Sequence, residues 1–245
     1  MCWRQLVRTL AKLSILLMVA WQIAGPSSLL AAEKDLYDYL WLDPDKKVYV
    51  LQNKIYKKAH SVYAQLGYIY GLSSDYTDAS GVHFSTGYYF NEEWALELMY
   101  NSYSNKFNDA YQSLQSINQS VPFVRQLEKS YGALAVWAPF YGKINTFNKI
   151  IYFDWHFGLG LGKVETSSNA LTVASTTTAD NYRKESYTGI LGKTGVRVHV
   201  NKRWHVDLSY LRTTYQAPGP LLPNRAQTDK WRANGDVIFS VGFSF

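Results

Sequence analysis

His83-Phe84-Ser85 puts an imidazole and a hydroxyl two positions apart. On a strand, residues i and i+2 project from one face, so the two could act as base and nucleophile in acyl transfer. That spacing arises often by chance, and the chain has no Gly-x-Ser-x-Gly elbow and no His-Glu-x-x-His pair. The series Gly158-x-Gly160-x-Gly162 lacks the Lys-Ser/Thr and helix start of a phosphate loop. Its glycines share one strand face, where they make room for large neighbours.

The wider chemistry is a dispersed polar set: Glu97, Asp154, His156, Lys193, Arg197, His205, Asp207, Arg232 and Asp236. Each alternates with large apolar side chains, so all would project from the faces those side chains leave. Such a set could line a water-filled channel or proton path. It could equally be a structural network, because buried charges must pair or pay a desolvation cost of several kcal/mol each. Four carboxylates against Lys193, Arg197 and Arg232 come close to balance, which favours the structural reading.

The elements that would hold these residues are strands. Val62, Ala64, Leu66, Tyr68, Tyr70 and Leu72 alternate with Ser61, Tyr63, Gln65, Gly67 and Gly71, the period of a strand with one apolar face. Further runs cover Ser80–Phe90, Trp94–Tyr103, Tyr131–Phe140, Ile151–Gly162, Tyr187–Val200, Trp204–Leu211 and Trp231–Phe245. Asn91-Glu92-Glu93 and Asn201-Lys202-Arg203 read as tight turns, and Pro139–Lys143 as a strand end and turn. Polar stretches at about Ser104–Lys129, Glu165–Glu185 and Ala217–Pro223 read as long loops. Eight runs with short turns at one end and long loops at the other predict an all-β, eight-stranded antiparallel transmembrane β-barrel. Its interior would be just wide enough to be filled by side chains. The 20 Tyr, 11 Phe and 8 Trp supply the lipid-facing wall.

The final strand carries Phe239, Val241, Phe243 and Phe245 on one face and ends on the aromatic. It resembles the C-terminal assembly signal of bacterial outer-membrane β-barrel proteins, which implies the barrel assembly machinery as a partner. Val50-Leu51-Gln52-Asn53-Lys54, Pro139-Phe140-Tyr141-Gly142-Lys143 and Tyr152-Phe153-Asp154 are similar to the outer-membrane β-barrel domain family of gliding and predatory bacteria. That resemblance implies an eight-stranded barrel, in some members within envelope assemblies, and supplies no catalytic residues. Eight-stranded lipid-A deacylases use a His and a Ser spaced like His83 and Ser85. Theirs must reach lipid, whereas this pair would face the lumen.

At the other end, Arg4, Arg8 and Lys12 precede the apolar run Leu13–Ile23, and Gly25-Pro26 and Ala31-Ala32 follow. The run is too short to span a bilayer and reads as a signal peptide over residues 1–32. Residues 33–60 then form a periplasmic segment and residues 61–245 the barrel. Cys2, the single cysteine, leaves with the leader, which leaves no disulfide, cysteine ligand or thiol nucleophile. Losing Arg4, Arg8 and Lys12 takes Lys+Arg from 25 to 22 against 19 Asp+Glu, so net charge falls from +6 to about +3. That balance gives no reason to expect nucleic acid as a partner.

The expectation is a non-enzymatic outer-membrane barrel with no cofactor and no metal. Its role would be structural, anchoring or partner-binding through the long loops, in contact with outer-membrane lipid. A narrow pore and a lipid-A-modifying enzyme are the alternatives. The loop around Ser104–Lys129, with Phe107, Tyr111, Leu114, Ile117, Val121 and Phe123, is the expected contact region.

Overall fold

Alternation with period two must place successive side chains on opposite faces, and here it sorts the chain into a lipid-facing wall and a filled interior. The computed structural model describes residues 54–73, 75–118, 121–146, 149–170, 182–220 and 227–245. The expected leader, residues 1–32, and most of the 33–60 segment lie outside them. Eight strands follow in order: β1 Val62–Gly71, β2 Thr77–Tyr89, β3 Trp94–Phe107, β4 Arg125–Thr146, β5 Lys149–Ser168, β6 Arg183–His199, β7 Trp204–Pro218 and β8 Asp229–Ser244. Each pairs antiparallel with its neighbour, and β8 returns to β1 to close the ring. The seam runs from Tyr63↔Ser244 to Gly71↔Asp236, so no sheet edge remains along it.

The wall is apolar and outward. Leu66, Leu159 and Leu161 are 62%, 67% and 64% exposed, an arrangement that only a lipid environment stabilises. Trp94 and Trp137 stack across β3 and β4, and Trp204 meets Phe243 edge-on across β7 and β8. These rings lie near the short-turn end, where amphipathic aromatics favour the membrane interface. Inside, Tyr63, Ile69, Leu134, Leu191, Leu211 and Ile238 are fully buried.

The two tight turns have a shared cause. Asn91 Oδ1 accepts hydrogen bonds from the amides of Glu93 and Trp94, and Asn201 Oδ1 does the same for Arg203 and Trp204. A short side-chain acceptor that caps two amides fixes the reversal locally.

Strand ends differ from the sequence reading. The stretch Ser104–Lys129 is not one loop: β3 runs on to Phe107, a helix α1 covers Asp109–Asn118, and β4 begins at Arg125. Asn108 caps the helix by accepting from the Tyr111 amide, with Asp109 in its first turn. Strands β5 and β6 likewise take up both ends of Glu165–Glu185, and β7 extends through Pro218. Pro139–Lys143 is also not a turn. The β4–β5 ladder shifts register between Trp137 and Phe140 and continues to Thr146↔Lys149. A bulge there excuses Pro139 from donating to the ladder. Because β3 pairs with β4 only from Trp137 and β6 with β5 only from Tyr152, the tip of the β4–β5 hairpin projects past its neighbours.

Candidate functional site

Among the described residues the lumen gathers a set of buried ionisable groups, and strand parity puts them there. Glu97 of β3 accepts a hydrogen bond from the Tyr63 hydroxyl at 2.6 Å and an ion pair from Lys193 Nζ at 2.7 Å. Arg197 of β6 lies over the Tyr63 ring, 4.4 Å from its centroid, and donates through Nη1 to the Tyr89 hydroxyl at 2.8 Å. Asp207 of β7 faces Arg197 Nε at 3.4 Å and His156 Nδ1 at 3.6 Å. All of these side chains are essentially excluded from solvent. In such surroundings charges persist only when opposite charges and donors meet them.

Toward the short-turn end, Asp154 binds His199 Nε2 at 2.7 Å and Lys58 Nζ at 2.9 Å. Lys58 precedes β1, and the chain is turned inward there by His60, whose φ of 58° is left-handed. Glu92, in the β2–β3 turn, accepts from the amides of Lys58 and Ala59. Burial holds the Lys58 ammonium below the ordinary lysine range, with Asp154 opposing that shift. Tyr56 stacks on His199 and meets Tyr152 edge-on. Residues 54–60 therefore occupy this mouth of the barrel.

The long-loop mouth is roofed as well. Asn169, fully buried, donates to the Pro122 carbonyl and accepts from the Val124 amide, and its own amide donates to the Val124 carbonyl. Arg125 donates to the Pro218 carbonyl and to Glu185, both at 2.9 Å. The segment Pro122–Arg125 is thereby tied across the opening to β5, β6 and β7.

Seven of the nine polar residues named from the sequence fall into this arrangement in different ways. Glu97, Lys193, Arg197, Asp207 and His156 meet one another in the middle of the lumen, and Asp154 lies below them with His199. His205 is buried beside the Tyr63 ring, and its Nδ1 lies 3.4 Å from the Ser244 hydroxyl. Asp236 stands apart from the ion pairs and accepts from the Tyr103 hydroxyl at 2.9 Å. Arg232 shares the inward parity of Asn234 and Asp236 but sits at the end of the barrel, away from the central ion pairs. It is half-buried near the long-loop mouth beside Phe123 and has no part in the central charge balance, because it lies too near the start of β8. Lys58 takes its place as the third cation. Nothing local marked Lys58, since the turn at His60 alone directs it inward.

His83 and Ser85 do share the lumen face, but they do not engage each other. His83 Nδ1 bonds Asn101 Oδ1 at 2.6 Å, and Asn101 donates on to Ser130. Ser85 donates to Gln65 at 3.0 Å. Both are fully buried, away from the lipid-facing wall. Among the described residues, no cluster of three or more His, Cys, Asp or Glu side chains could hold a metal ion.

A closed ring of eight antiparallel strands with an apolar exterior is the form of one class of membrane protein, and the outer membrane protein beta-barrel domain model matches residues 52–245. The chain belongs to that family. Its membrane is the bacterial outer membrane, and its wall lies in lipid. Among solved structures, OprG from Pseudomonas aeruginosa is similar at 14% identity and a TM-score of 0.46, covering 78% of this chain and 98% of its own. Ail of Yersinia pestis is similar at 16% identity and a TM-score of 0.41, with 76% and 99% covered. Neisserial surface protein A shows 16% identity and a TM-score of 0.42, with 76% and 96% covered. No curated protein matches this chain.

Proposed function

We propose that this barrel is a non-enzymatic envelope component that works at its two ends, as an anchor or a partner-binding surface, and conducts no solute. The observation that carries this reading is the filled lumen. Arg197, Tyr63, Tyr89 and Glu97 interlock across it, Lys58 and Tyr56 sit in one mouth, and Pro122–Arg125 cross the other. An eight-stranded barrel has little interior space beyond its own side chains, and here large side chains occupy the middle.

The polar lumen residues act, in this reading, as a neutralised structural network: Glu97, Asp154 and Asp207 against Lys193, Arg197 and Lys58. Residues 1–32 act as a cleaved leader and 33–60 face the periplasm, with the long loops outside. The barrel assembly machinery reads the outward face of β8, where Phe239, Val241 and Phe245 are exposed. Partner contact falls on the ends. In the 104–129 region Tyr111 is buried under Phe107 at 4.1 Å between centroids, while Ile117 is 78% exposed. The exposed side of α1 is thus the part of that region available to a partner.

Single-channel recording of the refolded protein in planar bilayers tests the sealed lumen. Silence is expected, and steady conductance would return the pore reading. Lipid A analysed by mass spectrometry after overexpression tests the enzyme reading, with unchanged lipid A expected. Deletion of Asp109–Asn118 with full retention of binding or phenotype would remove the partner role of α1.

A further inference from the structure

A charge imbalance at the long-loop end stands outside the central network. Arg125 and Arg232 flank one ring: each guanidinium carbon lies 5.4 Å from the Phe123 centroid. One carboxylate, Glu185, serves the pair, and it binds Arg125. Among the described residues no carboxylate lies within ion-pair distance of Arg232. The Arg125 side chain is 4% exposed, and both its Nε and that of Arg232 are buried with no protein acceptor. Two guanidiniums held this close repel each other, and burial weakens the screening that would relieve it.

Between them is a cavity of about 300 Å³, lined by Ser73, Tyr76, Phe123, Tyr215, Arg232 and Asn234. That is the lower end of the size range of small-ligand sites, about 300–1,000 Å³. The lining combines what an anionic ring compound needs. Phe123, Tyr215 and Asn234 add aromatic and polar surface to the wall, and the guanidiniums offer forked donors to an oxyanion. Asp75 also lines the cavity and opposes the positive charge from the loop side. Trp231 lines it too and is 63% exposed, which gives an optical reporter.

We propose that this mouth is a binding site for a small oxyanion-bearing molecule of sugar-acid size, with Arg232 and Arg125 holding its carboxylate, phosphate or sulfate. Such a site needs only the roofed mouth and operates whether or not the loops recruit a protein.

The test is tryptophan-fluorescence titration of the full refolded barrel in an uncharged, sugar-free detergent. The probes are sodium glucuronate, inorganic sulfate, inorganic phosphate and neutral glucose. Saturable changes with the anions and none with glucose are expected, with the signal lost in Trp231→Phe. Arg232→Gln should weaken glucuronate binding by about tenfold or more, the scale of one lost charge-assisted hydrogen bond. Asp75→Asn should strengthen it. A boiling-dependent gel shift establishes that each variant is folded. No saturable change with any anion, equal binding of glucose, or unaltered binding by folded Arg232→Gln would overturn the site. Lipopolysaccharide added to the glucuronate complex then identifies the source. Displacement supports the site with a membrane-borne phosphate as ligand, and retention supports it with a free solute.

Discussion

Arg197 lies over the Tyr63 ring, its guanidinium carbon 4.4 Å from the ring centroid, although the two residues belong to β6 and β1 on different sides of the barrel. The contact spans the lumen. It joins the hydrogen bond from Tyr63 to Glu97 and the pair of Glu97 with Lys193 into one connected column.

The Glu97–Lys193 pair should be costly to break and cheap to replace. Glu97→Ala leaves the Lys193 ammonium buried without its partner and should lower stability by about 3–5 kcal/mol. The double change Glu97→Leu with Lys193→Met should recover most of that loss. Urea unfolding in lipid vesicles measures both, and a double variant no better than Glu97→Ala would show that the pair is not an isolated unit.

Space around Tyr63 sets a second expectation. A Cβ at Gly87 would stand 2.5 Å from the Tyr63 ring carbon Cζ and its hydroxyl, inside the closest real approach. Gly87→Val should therefore displace the ring and cost about 1–3 kcal/mol. At Gly192 a Cβ meets only the Arg212 carbonyl, at 3.9 Å, so Gly192→Ala should fall within about 0.5 kcal/mol of the parent. Thermal unfolding of the two variants, followed by the gel-mobility shift, compares them directly.

The turn asparagines should behave alike. Asn91→Ala and Asn201→Ala each remove an acceptor shared by two amides and should cost about 1 kcal/mol apiece, because the exposed amides regain water. Their effects should add, since the two turns share no contact partner. Non-additivity in the double variant's unfolding midpoint would point to a coupling through the seam.

Phe245 takes part in closing the ring between β8 and β1. The Phe245 amide donates to the Val62 carbonyl at 2.8 Å, and its ring packs against Phe243 at 4.9 Å between centroids. Removing Phe245 should reduce the amount of heat-modifiable protein in the outer membrane more strongly than it lowers stability in refolded samples. Equal effects on both would mean that Phe245 serves only the fold, with no part in recognition by the assembly machinery.

Much of this molecule follows from sequence alone, for a local reason. A strand's side chains alternate whatever lies around them, so Leu66 against Gln65, or Phe84 against His83, already fixed which face met lipid and which met the lumen. The turns at Asn91 and Asn201 are local too, since each is made within a few residues. Strand ends were not legible. Ladders persist wherever a neighbour remains to pair with, as β4 and β5 do beyond Phe140, and no composition change marks where they stop.

The partners inside the lumen were decided by the tertiary structure. Parity says that Glu97, Lys193, Arg197 and Asp207 point inward, but the register and closure of eight strands decide that Lys193 reaches Glu97 and Arg197 reaches Tyr63. The same closure made room for Lys58 beside Asp154 and left Arg232 at the mouth beside Phe123. Those contacts join residues far apart in the chain, and a pattern with a two-residue period carries no information about them.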